Sequence, residues 1–181
     1  SAGTGKSLLI KILSEMLECK KAICSTTGIS AVNITTDGIK ATTLHSLLRL
    51  KPQPIYFDSA FEFNAKAASV IRNLDVLVID EASMMSAHLF DTVIRVILKY
   101  RQTIPRIILF SDILQLPPVI GGEKYVEQLF EEHYNGNVMF FNSLTFSQLG
   151  FRNIHLNKLY RQNDLGFQAI LNRIRIGEQT K

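Results

Sequence analysis

The sequence holds only two cysteines, Cys19 and Cys24. Their spacing fits no metal-binding pattern, so both read as plain reduced thiols, which suits an intracellular protein. No apolar run approaches the ~20 residues that a membrane span needs, so no membrane partner is expected. The opening SAGTGKS lacks the basic region and long apolar stretch of a signal peptide. No internal repeat and no low-complexity tract interrupts the chain. Excess charge is also scarce: the net value is +4, which permits a polyanionic partner without requiring one. What the chain has is apolar content. Hydrophobic residues make up 46% of its 181 positions, enough to bury a full core and to exclude disorder. That length suits one domain, or one domain with a small insertion.

Helical and strand patterns alternate along the chain. From Lys6 to Glu18, Leu8, Leu9, Ile12, Leu13, Met16 and Leu17 fall at helical spacing. Ala22 to Ser25 reads as a buried strand, and TTGISAVNI as a helix capped by Thr26 or Thr27. A short strand is expected near Ile39 to Thr42, then a helix over TLHSLLRL. Residues 51–63 carry two prolines and no clean period, which marks a loop or small insertion. A helix over Asn64 to Asn73 leads to the strand DVLVID. Ser86 caps a helix running to about Tyr100, and RIILFSD is the next buried strand. Glu123 to Glu132 reads as a helix, VMFF and NIHLN as strands, and Asp164 to Ile176 as a helix stopped by Gly177. Continuous apolar strands alternating with helices predict an α/β fold, a mostly parallel sheet with helices on both faces.

Three clusters carry chemistry. The phosphate-loop pattern G-x-x-x-x-G-K-[ST] finds its last three fixed positions in Gly5, Lys6 and Ser7. Its first glycine falls one residue before Ser1, so the first strand of the fold and the start of the loop are expected to be missing. Gly3, Thr4 and Gly5 form the loop, with both glycines free to turn backbone N–H groups onto phosphate oxygens. The following helix aims its positive end at the same place. Lys6 reaches the β and γ phosphates of ATP, and the Ser7 hydroxyl binds Mg²⁺. Asp80 and Glu81 end an apolar strand. Neighbouring strand residues point opposite ways, so Asp80 can hold Mg²⁺ while Glu81 orients and deprotonates water. A strand end running into a helix cap explains the same two residues more blandly. In SDILQLPPV, Pro117 and Pro118 force Leu116 extended and place Gln115 just beyond the strand, where its amide can sense a γ phosphate.

Together, SAGTGKS, TTGISAVNI, ATTLHS, VLVIDEASMM, SDILQLPPV and LYRQNDLGFQAILNRIRIGE resemble the Pif/RecD-like group of superfamily-one DNA helicases, in order and spacing, over nearly the whole chain. The resemblance implies a RecA-like P-loop NTPase domain, the first motor domain of an enzyme that uses ATP and Mg²⁺ to move 5′ to 3′ on single-stranded DNA and unwind duplexes. It implies a second motor domain in the same polypeptide, absent from this chain, so the chain alone is expected not to unwind DNA. It adds Arg161, in YRQ, as a γ-phosphate contact, and Thr27, Thr43 and His45 as DNA contacts. The sensor motif departs from the family pattern at Ser111, where glycine is usual. Such a motor works at the nucleoid of a bacterium, or in the nucleus or mitochondrion of a eukaryote.

Plainer readings stand beside these. Thr27 can be only a helix cap, and His45, among Leu44, Leu47 and Leu48, a packing residue. Arg173 and Arg175 suit a helix C-terminus. Phe140, Phe141, Phe146 and Phe151 read as core rather than base-stacking residues. His88, His133 and His155 show no ligand spacing. For the whole chain, the alternatives are a non-catalytic nucleic-acid-binding module with a degenerate ATPase fold, or another phosphate-loop ATPase such as a loader.

Overall fold

The computed structural model describes residues 5–36, 38–50, 64–156 and 173. Alternation along two strands decides its architecture. In β1 (Lys21–Ser25) and β3 (Val76–Asp80), successive side chains point to opposite faces. Ala22, Cys24, Leu77 and Ile79 enter one apolar cluster, whereas Ile23, Val76 and Val78 enter another. Strands apolar on both faces need cover on both faces. On one side lie α1 (Lys6–Met16) and α2 (Gly28–Ile34), which contribute Ile10 and Ile34. On the other lie α3 (Leu44–Leu48), α4 (Ala65–Arg72) and α5 (Ala87–Tyr100), which contribute Leu44, Ile71, Phe90, Val93 and Ile97. With β2 (Ala41–Thr43) and β4 (Arg106–Leu109), the described sheet has four strands in the order β2-β1-β3-β4, every pair parallel. This is the expected parallel sheet with helices on both faces. The helix α6 (Lys124–Tyr134) builds a smaller cluster with Ala87 through Val126, Leu129 and Phe130.

Some sequence expectations need correction. VMFF is not a strand: Met139 makes one isolated antiparallel bridge to Ser86, and Phe140–Asn142 form a 3-10 turn. That turn puts Phe140 against Phe90, with ring centroids 6.4 Å apart, which buries an apolar run without a ladder. NIHLN is irregular over its described residues 153–156. Phe140 is buried, and Phe146 and Phe151 pack against the larger cluster, but Phe141 is 40% exposed. In α1 the fully buried apolar residue is Ile10, while Leu8, Ile12 and Met16 are exposed. The presumed insertion at 51–63, the helix Asp164–Ile176 apart from a helical, exposed Arg173, and Arg175 lie outside the described residues.

Register sets the carboxyl edge of the sheet. Ser25 pairs with Thr43 on one side and with Asp80 on the other. Beyond β3, Phe110 N–H donates to Ile79 O (2.8 Å) and Ala82 N–H to Phe110 O (2.9 Å). The strand ends that carry the candidate residues are thereby tied side by side, the position at which open parallel sheets bind ligands.

Candidate functional site

Gly5 caps α1 in the left-handed region (φ 85°, ψ 16°) that favours glycine. This turn directs the chain into the helix, where Gly5 O accepts Leu9 N–H at 2.9 Å. Lys6 follows as the first residue of α1. Its Nζ is buried and has no hydrogen-bond partner among the described residues. Ser7 is exposed one residue on.

Asp80 ends β3 and is 3% exposed. Its two oxygens differ: Oδ2 accepts the Ser30 hydroxyl at 2.9 Å, whereas Oδ1 is buried without a partner among the described residues. Glu81 does not continue the strand. It adopts a left-handed conformation (φ 52°, ψ 40°) that a side chain rarely takes. The two carboxylates are thus parted by a sharp turn and not, as the sequence suggested, by strand alternation. Thr26 holds this turn, its Oγ1 donating to Glu81 O at 2.9 Å. Burial raises the Glu81 carboxyl above the ordinary glutamate range. Lys6 opposes that shift, and the charges of Asp80 and Asp112 add to it. Lys6, Asp80, Glu81 and Asp112 therefore share one electrostatic site.

The segment that carries Gln115 is a tight turn. Asp112, 3% exposed, accepts Gln115 N–H through its carbonyl at 2.9 Å and Leu114 N–H through Oδ1 at 3.4 Å. Gln115 is exposed beyond it, and Pro118 is buried. Thr27 caps α2, accepting Ser30 N–H at 3.3 Å, and Thr43 caps α3, accepting Ser46 N–H at 3.1 Å. His45 is half-buried in α3, and burial lowers its pKa. Both threonines are caps in the structure, and both lie at the sheet's carboxyl edge. Gly3, Thr4 and Arg161 lie outside the described residues.

A buried ammonium and a buried carboxylate oxygen, both without hydrogen-bond partners, are costly unless charge of the opposite sign meets them. The local donors are a carboxylate and hydroxyls, the oxygen set that suits a hard cation such as Mg²⁺, which takes one or two protein groups and completes its shell from phosphates and water. The residues therefore fit both a phosphate at Lys6 and a Mg²⁺ at Asp80. Sequence reasoning missed Ser30 and read Thr26 only as an alternative to Thr27 for the helix cap. The only local signal for Ser30 is its place in the first turn of a capped helix, and its contact with Asp80 spans 50 residues.

A family model described as PIF1-like helicase matches residues 1–181. The chain is 31% identical over 188 residues to the ATP-dependent DNA helicase Pif1 of Campylobacter jejuni, covering 97% of this chain and 39% of that protein. It is 30% identical over 185 residues to human ATP-dependent DNA helicase PIF1, covering 98% of this chain and 26% of that protein. A crystal structure of Pif1 helicase from Bacteroides in complex with ADP-AlF3 and single-stranded DNA superposes with a TM-score of 0.88 at 30% identity, covering 99% of this chain and 42% of that one. The Pif1 helicase from Candida albicans superposes at 0.71 with 27% identity, covering 97% of this chain and 39% of that one. The chain spans well under half the length of these relatives.

Proposed function

The chain belongs to the PIF1-like helicase family, and from that membership we propose that it forms the first RecA-like motor domain of an ATP-dependent DNA helicase. In this reading the full-length protein couples ATP hydrolysis to 5′-to-3′ translocation on single-stranded DNA and to duplex unwinding. A second motor domain of the same polypeptide supplies the other wall of the ATP cleft, and residues 51–63 are a small insertion in the first. The enzyme works wherever its DNA is, at a nucleoid or in a nucleus or mitochondrion.

The observation that carries this reading is the pair of buried, unpartnered opposite charges, Lys6 Nζ and Asp80 Oδ1, at one site. Gly3, Thr4 and Gly5 turn backbone donors onto the ATP phosphates, and Lys6 binds the β and γ oxygens. Ser7 and Asp80 hold Mg²⁺, which supplies charge neutralisation on the phosphoryl group when bound. Glu81 orients the attacking water and takes its proton. Gln115 senses the γ phosphate from its turn, and Arg161 offsets the charge that spreads onto the transferred group. Thr27, Thr43 and His45 touch the DNA strand, two of them from helix caps beside the ATP site. The Bacteroides relative, crystallised with ADP-AlF3 and single-stranded DNA together, supports both ligands. A non-catalytic binding module or a loader accounts less well for a family match across the whole chain.

The test is steady-state ATP turnover by the full-length protein, with and without single-stranded DNA. We expect DNA to stimulate turnover, and Lys6→Ala or Glu81→Gln to reduce the stimulated rate by at least ~100-fold. Near-normal turnover in either variant overturns that residue's role. No turnover in the unmutated protein under either condition restores the binding-module reading.

A further inference from the structure

Among the described residues, the Asp80 carboxylate is held from one side. Ser30 Oγ donates to Oδ2 at 2.9 Å, and Oδ1 has no partner among the described residues although it is buried. A hydrogen bond to one oxygen selects one orientation of the group about its terminal torsion, which is otherwise broad and nearly two-fold. Ser30 is itself anchored: it lies in the first turn of α2, and its N–H donates to the capping Thr27 Oγ1 at 3.3 Å. The strand end under Asp80 is tied from the same segment, where Thr26 N–H and Ser25 Oγ both donate to Asp80 O, at 3.3 and 3.4 Å. Backbone and side chain of Asp80 are therefore both positioned by residues 25–30, and among the described residues Ser30 is the one that hydrogen-bonds the carboxylate.

We propose that Ser30 is the positioning residue of the metal site: by holding Asp80 Oδ2 it leaves Oδ1 as the oxygen that takes Mg²⁺. The proposal rests on the reading of Asp80 as the metal carboxylate. Outer groups of this kind orient a ligand and strengthen metal binding without touching the ion. Ser30 is well suited to a clean test, because alanine is the better helix former and removes little besides the hydroxyl.

The experiment uses the full-length protein and the variants Ser30→Ala, Ser30→Thr and Asp80→Asn. Mn²⁺ affinity in the presence of ADP is read by electron paramagnetic resonance, and ADP affinity without metal by calorimetry. We expect Ser30→Ala to weaken Mn²⁺ binding by roughly tenfold and to raise the half-saturating Mg²⁺ concentration for turnover by the same factor. Metal-free ADP affinity stays within about twofold, and Ser30→Thr, which keeps the hydroxyl, restores the Mn²⁺ affinity. An Mn²⁺ affinity within about twofold of the unmutated protein in Ser30→Ala, while Asp80→Asn loses it, overturns the positioning role and leaves the Asp80 assignment standing. Retained Mn²⁺ affinity in Asp80→Asn overturns the Asp80 assignment and this proposal with it. Equal losses of Mn²⁺ and metal-free ADP in Ser30→Ala, unrelieved by threonine, show a merely structural serine and also overturn it.

Discussion

Burial acts in opposite directions on two site residues, because it always penalises the charged form. It raises the Glu81 pKa and lowers that of His45 from its ordinary value of 6.5. For His45 in the DNA-free protein the consequence is a preference for the neutral imidazole. The sign of its effect on stability follows from linkage. With the folded pKa below the unfolded one, the unfolded chain binds more protons, so stability is lost as pH falls through about 6.5 towards the folded value. His45→Gln lacks that loss. Urea-denaturation midpoints of the two proteins should therefore hold a constant gap above about pH 7.5 and shift in favour of the variant on acidification towards pH 5. A gap independent of pH across that range contradicts a buried neutral His45.

At the scale of elements, one buried carboxylate joins three segments. Asp91, in the middle of α5 and 2% exposed, accepts four hydrogen bonds. Tyr134, at the end of α6, donates its hydroxyl at 3.1 Å, and Leu144 N–H, Thr145 N–H and Thr145 Oγ1 donate from the segment after the 3-10 turn. Burial and then the Asp91 charge push the Tyr134 hydroxyl well above its ordinary pKa. Asp91→Ala leaves these donors without an acceptor in the interior, and should cost about 4 kcal/mol of stability, measured by urea denaturation. A cost below about 1 kcal/mol means the segment is held by its aromatic packing instead. That packing is substantial: Phe146 stacks on Phe151 at 4.7 Å, and both rings meet Phe90 edge-on. The same region shows why short apolar runs mislead. VMFF has the composition of a strand, yet four residues carry too little periodicity to separate a strand from a turn that sinks one ring.

For the whole molecule, the decisive arrangement is that the start of α1 and the ends of β1, β3 and β4 meet on one edge. A parallel sheet brings this about because every strand delivers its carboxyl end to the same side. In the proposed two-domain motor, this domain presents one wall of the ATP cleft. The 181-residue chain by itself should accordingly show little of the DNA-stimulated ATP turnover of the full-length protein, lower by at least ~100-fold. Comparable turnover by the two contradicts a cleft shared with a second motor domain.

How far each feature can be read in advance depends on the distance over which its cause acts. Apolar runs between helical patterns determined a parallel sheet with both faces covered, because a strand's burial is written in its own side chains. Local spacing likewise marked Gly5-Lys6-Ser7, the Asp80-Glu81 pair and the Gln115 turn, and Thr27, Thr43 and Ser86 cap helices as their residue types favour. Only the tertiary structure decided which oxygen of Asp80 is held and by what. It also put Glu81 in a left-handed turn, held by Thr26 from 55 positions away and followed by an N–H bound to Phe110 O. Hydrogen bonds across the sheet's edge join residues that no periodicity relates, so Ser30 and Thr26 acquire their places at the site only when the strands lie side by side.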